Sequence, residues 1–189
     1  ANPQSKTKAR AEAGRKLAQL GDPRPGVGLR PDSLPDIDWV EIPAGEFLMG
    51  SDHNQDPLAA SDEMPQQTIY LETFCISRYP ITYAQYEAFV SDDGYAVDGY
   101  WTGEGLAWRG DKRQPEAYWN VPEWHIANHP VVGVTWYEAY AFSRWLSAKL
   151  NCDVRLATEP QWEKAARGAD GWIYPYEGEF DPNKGNTDD

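Results

Sequence analysis

The chain holds only two cysteines, Cys75 and Cys152, in 189 residues, which excludes a disulfide framework as the source of its stability. No apolar run approaches the roughly 20 residues that span a bilayer, and no signal-peptide pattern is present. Basic residues are outnumbered, 17 Lys or Arg against 30 Asp or Glu, for a net charge of −13. That balance argues against nucleic acid, whose binding is dominated by phosphate neutralisation. The expectation is a cytoplasmic protein with neither a membrane nor a nucleic-acid partner. The charge is also uneven. Residues 1–30 carry seven Lys or Arg against two Asp or Glu, whereas the other 159 residues carry ten against 28.

The basic lead reads as a helix from Ser5 to Leu20, with Ala9, Ala13, Leu17 and Leu20 as its apolar stripe and Gly21-Asp22-Pro23 as its stop. A Pro/Gly-rich stretch from Pro23 to Pro35 follows. Two readings are open: the edge of an upstream module joined by a linker, or a strap packed on the domain that follows. The division drawn is 1–36 for helix and linker and 37–189 for the domain.

Three helix starts punctuate that domain. Thr82, Thr135 and Thr158 are each followed three residues later by Gln85, Glu138 and Gln161. In such a box the Thr hydroxyl accepts a first-turn N–H and the longer side chain reaches back to the Thr N–H. The first opens a helix through Tyr86, Phe89 and Val90, stopped by Asp92-Asp93-Gly94. The second opens the longest, with Ala139, Phe142, Trp145, Leu146 and Leu150 on one face. The third has Pro160 in its first turn and Gly168 at its end. Strand-like runs cover Trp39 to Ile42, Glu46 to Met49, Thr68 to Ile76 and Val131 to Val134. Helices and short strands mix without regular alternation, which is an α+β pattern. With 15 Pro and 16 Gly, long ordered loops are expected to carry much of the fold.

One ordered series now stands out: Pro-Ala-Gly-Glu-Phe-Leu-Met-Gly-Ser (43–51), Arg-Tyr-Pro-Ile-Thr (78–82), His-Pro-Val-Val-Gly-Val-Thr-Trp (129–136) and Glu-Pro-Gln-Trp-Glu-Lys-Ala-Ala-Arg-Gly (159–168). It resembles the formylglycine-generating enzyme family, also called sulfatase-modifying factor, over roughly residues 37–189. The resemblance implies a loop-rich variant of the C-type lectin fold. That fold also serves iron-dependent sulfoxide synthases and the hypervariable binders of diversity-generating retroelements, so it does not by itself fix an activity. This chain departs from the family pattern at Ala157 and Pro160, where Pro and Ala are usual. It departs again at Tyr176-Glu177, where the family reads Trp-Gly, and at Tyr83, where Asn is common. The copper-binding cysteine pair of the catalytic members, expected after a Gly-Gly-Ser-Trp-like strand, has no counterpart here. The chain is therefore expected to be the N-terminal two-thirds of the family domain within a larger protein. Its partner would be the C-terminal remainder, as a separate polypeptide in one version, and copper would enter only with a cysteine pair in that remainder.

The candidate sites follow. The resemblance places Asn186 and Thr187 where the first calcium ligands of the catalytic members fall, so calcium is a candidate metal at these residues. Cys75 and Cys152 read as small buried or half-buried thiols. His125 and His129, four apart, suggest a zinc pair, but Pro130 disfavours helix there and the histidines read as structural. The segment from Tyr95 to Trp124 contains Trp101, Trp108, Trp119 and Trp124 with Tyr95, Tyr100 and Tyr118, and no helix or strand period accounts for them. In the family the corresponding insertion helps form a peptide groove, so these tryptophans, with Tyr176, are candidates for contact with a protein or peptide ligand. The competing reading is that a loop-rich fold buries aromatics to hold its loops together. A non-catalytic recognition domain is the leading expectation. An N-terminal part of a formylglycine-generating oxidase and a retroelement-diversified binder are the alternatives.

Overall fold

A computed structural model describes residues 7–185. Its elements are helix α1 (Thr7–Leu20), strands β1 (Trp39–Ile42), β2 (Gly45–Met49), β3 (Gln67–Leu71) and β4 (Phe74–Ser77), and helices α2 (Tyr83–Ser91), α3 (Gly103–Arg109), α4 (Trp136–Leu150) and α5 (Glu159–Arg167). The chain is a mixture of helix and strand with little regular structure. Among the described residues, no helix is long and apolar enough to cross a membrane. Contacts divide the chain into two compact units. Unit 1 comprises Ala1–Trp39 with Ser77–Leu156, and unit 2 comprises Val40–Ile76 with Ala157–Asp189.

Unit 1 is organised by aromatic rings. Tyr83, Tyr86 and Phe89 of α2 and Ala141, Phe142, Trp145 and Leu146 of α4 are buried, together with Tyr95, Trp101 and Trp119 from the loops. Tyr86 stacks on Phe142 at 5.3 Å, Phe89 lies 5.6 Å from Trp145, and Tyr95 meets Trp101 edge-on at 5.1 Å. Rings of this kind bury about 150–250 Å² each, at ~25 cal/mol per Å², so a few of them anchor long loops that have no backbone ladder. Just past the end of α2 comes Gly94, where a Cβ would meet the Phe89 ring at 2.0 Å. That close approach fixes the exit of the chain and lets the Gly94 carbonyl accept the Trp101 Nε1–H at 3.1 Å.

All three boxes form as the sequence pattern predicts, and two are buried and serve further duties. Gln85 returns its Oε1 to the Thr82 N–H at 3.0 Å and points its Nε2 at the carbonyls of Gly26 and Asp36, at 3.1 and 2.6 Å. The Thr82 hydroxyl donates to the Val27 carbonyl at 2.9 Å. The Pro/Gly-rich stretch expected as a linker is therefore an ordered loop gripped by the start of α2, with Val27 and Pro35 buried. Glu138 bonds the Thr135 N–H at 2.7 Å and accepts the Tyr95 hydroxyl at 2.6 Å. Burial pushes the Tyr95 and Tyr86 phenols well above their usual 10, so both remain donors at any ordinary pH.

Three expectations are corrected, and one helix was not expected. Val131–Val134 is not a strand. Pro130 only bridges Thr82 and the Val131 N–H bonds the Ile81 carbonyl at 2.8 Å, because the run follows the entry to α2 rather than a sheet. Thr68–Ile76 is two strands, broken at Glu72-Thr73, where the Thr73 hydroxyl accepts the Ala44 N–H at 3.1 Å. Helix α3 has a box-like start that its glycines obscured: Thr102 caps Gly105 at 2.9 Å. In α1 the expected stripe faces outward at Ala9, Ala13 and Leu20, and the half-buried positions include Gly14, Leu17 and Ala18.

Unit 2 contains two two-stranded sheets, β1 with β4 and β2 with β3. β2 and β3 are antiparallel, with Phe47 opposite Ile69, and Phe47 is the fully buried apolar side chain of this unit among the described residues. Charged side chains complete it. Lys164 of α5 is buried and donates to the carbonyls of Pro43 and Gly45, both at 2.9 Å. Glu163 accepts the Gly50 N–H at 2.7 Å and pairs with Arg167 at 2.6 Å. Arg167 also donates to the carbonyls of Trp172 and Gly171.

Candidate recognition surface

The four tryptophans considered together do not share one environment. Trp101 and Trp119 are 7% and 6% exposed and belong to the core of unit 1, so the loop-anchoring reading applies to them and a ligand cannot stack on either. Trp119 lies 4.6 Å from His125, which stacks on Tyr83 at 4.6 Å. His125 Nδ1 sits 2.6 Å from the Trp119 carbonyl oxygen, an acceptor, so that nitrogen carries the proton. His125 is thus part of an aromatic box. The segment around His125 and His129 is not helical, so the four-residue spacing does not bring them onto one helix face.

Trp108 and Trp124 are different. Trp124 is half exposed and lies 5.1 Å from Tyr118. Tyr118 adopts a left-handed backbone, φ 59°, which is costly for a bulky residue. Gly133 permits this arrangement, since a Cβ there would meet the Tyr118 ring at 2.7 Å and the Ala117 carbonyl at 2.9 Å. Trp108 of α3 is half-buried and begins a longer ring series. Its centroid is 6.1 Å from Tyr137, Tyr137 is 5.7 Å from Trp136, and Trp136 stacks on Tyr140 at 5.3 Å and 25°. Lys112 places Nζ 4.7 Å from the Trp108 ring centre, a cation–π contact.

Helix geometry explains why Trp136 faces outward while Trp108 and Tyr137 pack against the core. The buried residues of α4 are Glu138, Ala141, Phe142, Ser143, Trp145 and Leu146, with all but Ser143 on one side. Positions 136, 140 and 144 fall on the opposite side at a spacing of four. Trp136 is 59% exposed and Arg144 is exposed. The sequence reading stopped at Trp124 and so missed Trp136, Tyr137 and Tyr140. The signal that finds them is the second aromatic stripe of α4, offset from its core stripe.

Arg109 lies beneath this region, its guanidinium 5.5 Å from the Trp101 ring and bonded to Asp98 at 2.8 Å. Its Nε and Nη1 are buried without an acceptor among the described residues, and they are closed to solvent. Tyr176 is in unit 2 and is occupied locally. Its hydroxyl accepts the Asp181 N–H at 2.9 Å, its ring stacks on Tyr174 at 5.6 Å, and Lys184 sits over it at 4.4 Å.

Both cysteines are exposed thiols, which corrects the expectation of burial. Cys75 lies on β4 at the surface, and Cys152 follows the left-handed cap of α4 at Asn151. Among the described residues no three His, Cys, Asp or Glu side chains gather as metal ligands. Asn186 and Thr187, the calcium candidates, lie outside the described residues.

A family profile described as a sulfatase-modifying factor enzyme 1-like domain matches residues 30–189. Among curated relatives, the protein YfmG of Bacillus subtilis (strain 168) is 32% identical over 148 residues, which cover 77% of this chain and 28% of that protein. A Thermomonospora curvata protein named formylglycine-generating enzyme is 34% identical over 168 residues, 76% of this chain and 53% of the other. A Mycolicibacterium smegmatis protein named hercynine oxygenase is 33% identical over 137 residues, 67% and 30% respectively. The chain spans about a quarter to a half of the length of these relatives.

Proposed function

The chain belongs to the sulfatase-modifying factor enzyme 1-like family, and from that premise we propose that it is a ligand- or protein-recognition domain of a larger protein, built on the family's C-type-lectin-like fold. The observation that carries this reading is Trp136, 59% exposed and stacked on half-buried Tyr140, beside the Trp108–Tyr137 pair that packs against the core. Aromatic side chains dominate binding hot spots because they offer large, stiff contact area at low entropic cost. Trp136 in particular leaves 59% of its surface in water, so it contributes little to the core and much to any surface that covers it. The test is panning of a random peptide library on the full chain and on the Trp136→Ala/Tyr140→Ala variant. The expected result is a set of peptides that bind the parent at least about tenfold more tightly. No enrichment, or equal binding to both proteins, overturns the reading.

A second reading is favoured by the relatives named formylglycine-generating enzyme. In it the chain is the N-terminal part of an oxidase that converts a sulfatase cysteine, and its partner is a polypeptide that completes the domain and brings the copper-binding cysteine pair. Cys75 and Cys152 take no part. Peptide mapping of the native assembly tests it: a partner polypeptide with two closely placed cysteines supports the oxidase, and an assembly without one removes it. Calcium at Asn186 and Thr187 belongs to this reading and is tested by calorimetric titration of the chain with calcium.

A further inference from the structure

We propose that the exposed face of α4 takes an acidic peptide segment, one whose apolar side chain covers the Trp136–Tyr140 stack and whose carboxylate pairs with Arg144. This partner chemistry rests on the recognition reading and adds a charge requirement to it. Two neighbouring features of α4 carry it. The first is the ring stack. Trp136 is 59% exposed and stacks on half-buried Tyr140 at 5.3 Å and 25°. An apolar side chain laid on such a platform buries stiff surface on both partners at low entropic cost.

The second is an unpaired cation one turn further on. Arg144 is exposed and makes no ion pair or hydrogen bond among the described residues. Carboxylates outnumber cations in this chain, 30 against 17, yet none is spent on it. The other cations of this part of unit 1 are committed. Lys149 pairs with Asp92 at 2.6 Å, Lys112 donates to the Trp108 carbonyl at 3.1 Å, and Arg109 bonds Asp98 at 2.8 Å. Arg144 lies about 6 Å along the helix axis from Tyr140 and about 12 Å from Trp136. At about 3.3 Å per residue, an extended peptide matches that span with an apolar residue and an Asp or Glu about two to four positions apart. The guanidinium then meets the carboxylate with two parallel N–H donors.

Two opposing charges set the size of the effect. Beyond Arg144 the surface opens into a hollow of about 430 Å³, walled also by Ser147, Asn151 and Asp153. Ser147 is occupied there, since its hydroxyl donates to the Cys152 carbonyl at 2.5 Å and accepts the Val154 N–H at 2.9 Å. Asp153 is exposed and repels a carboxylate brought to this hollow. The net charge of −13 repels it from further away. At physiological salt, charges beyond about 8 Å are screened, whereas a contact pair is screened much less. The arginine therefore wins at contact and not at a distance, and it favours an acidic peptide only where the rings hold that peptide in place.

Sequencing the peptides that a random library yields on the full chain, followed by binding titrations of the best one, tests this partner. The selected peptides are expected to carry Asp or Glu about two to four positions from an aromatic or branched apolar residue. The best of them should bind Arg144→Gln about two- to fivefold more weakly than the parent and Asp153→Asn more tightly, with both differences shrinking at high salt. Its own Glu→Gln version should bind the parent and Arg144→Gln alike. Thermal unfolding reports that each variant is folded. Selected peptides that lack an acid but still need Trp136 and Tyr140, or equal binding of the acidic peptide to the parent and Arg144→Gln, overturn the acidic partner and leave the recognition reading standing. A library that yields no peptide at all overturns both.

Discussion

Unit 1 and unit 2 solve the same problem, holding long loops in place, by opposite chemistry. Unit 1 excludes water with rings: Tyr83, Tyr86, Phe89, Tyr95 and Trp145 are each at most 1% exposed. Unit 2 has Phe47 alone in that role among its described residues and relies on the side chains of one short helix, α5. Lys164 takes the Pro43 and Gly45 carbonyls, and Glu163 and Arg167 take the backbone around Gly50 and Gly171. The difference teaches that a loop can be fixed by apolar area or by satisfying its own backbone. The first is strong and tolerant of geometry. The second gives only about 1 kcal/mol net per bond but is costly to break.

That contrast can be broken most severely inside unit 1. Glu138→Ala removes the acceptor of the Tyr95 hydroxyl and of the Thr135 N–H in a buried site, and should cost about 3 kcal/mol in urea unfolding, because the orphaned groups lose their partners without gaining water. Gln85→Ala leaves the Gly26 and Asp36 carbonyls without that donor. It should cost about 2 kcal/mol and make the 22–38 loop a preferred site in limited proteolysis. Lys164→Met tests unit 2. It should cost about 1–2 kcal/mol and raise hydrogen exchange in β2, β3 and α5 while leaving α2 and α4 protected; equal loosening of both units would erase the distinction drawn above. The smallest effect is at the surface of unit 1. Asp92 accepts from Trp145 and Lys149, first through Lys149, and its carboxyl is held below 3.8. Its stabilisation is present above that value and is lost as pH falls through the lowered one. Asp92→Asn should therefore cost under about 1 kcal/mol at pH 7 and flatten the acid limb of a pH–stability curve.

Much of this was legible in the chain. The Thr boxes located α2, α4 and α5, because capping is local chemistry that a sequence states directly. The α3 start was hidden by glycines at 103 and 105, which carry no periodicity. The strand at 131–134 failed because alternation or an apolar run does not say what backbone lies opposite. Burial was hardest to read: of the four tryptophans in the 95–124 segment, Trp101 and Trp119 went inside, while Trp136, passed over as a helix residue, emerged. A pattern names which residues are large and apolar, but loops decide by tertiary contact which of them are covered.

The chain runs from unit 1 to unit 2, back, and out again at residues 39–40, 76–77 and 156–157, and this order has a consequence during synthesis. The strands of unit 2 leave the ribosome before helices α2 to α5. The β2–β3 pair is complete at Leu71, yet the lysine that ties down its approach is residue 164. At about 5–20 residues per second, that hairpin waits roughly 5–20 s with its edges bare. For this interval the Pro43 and Gly45 carbonyls lack the lysine donor that holds them in the finished protein.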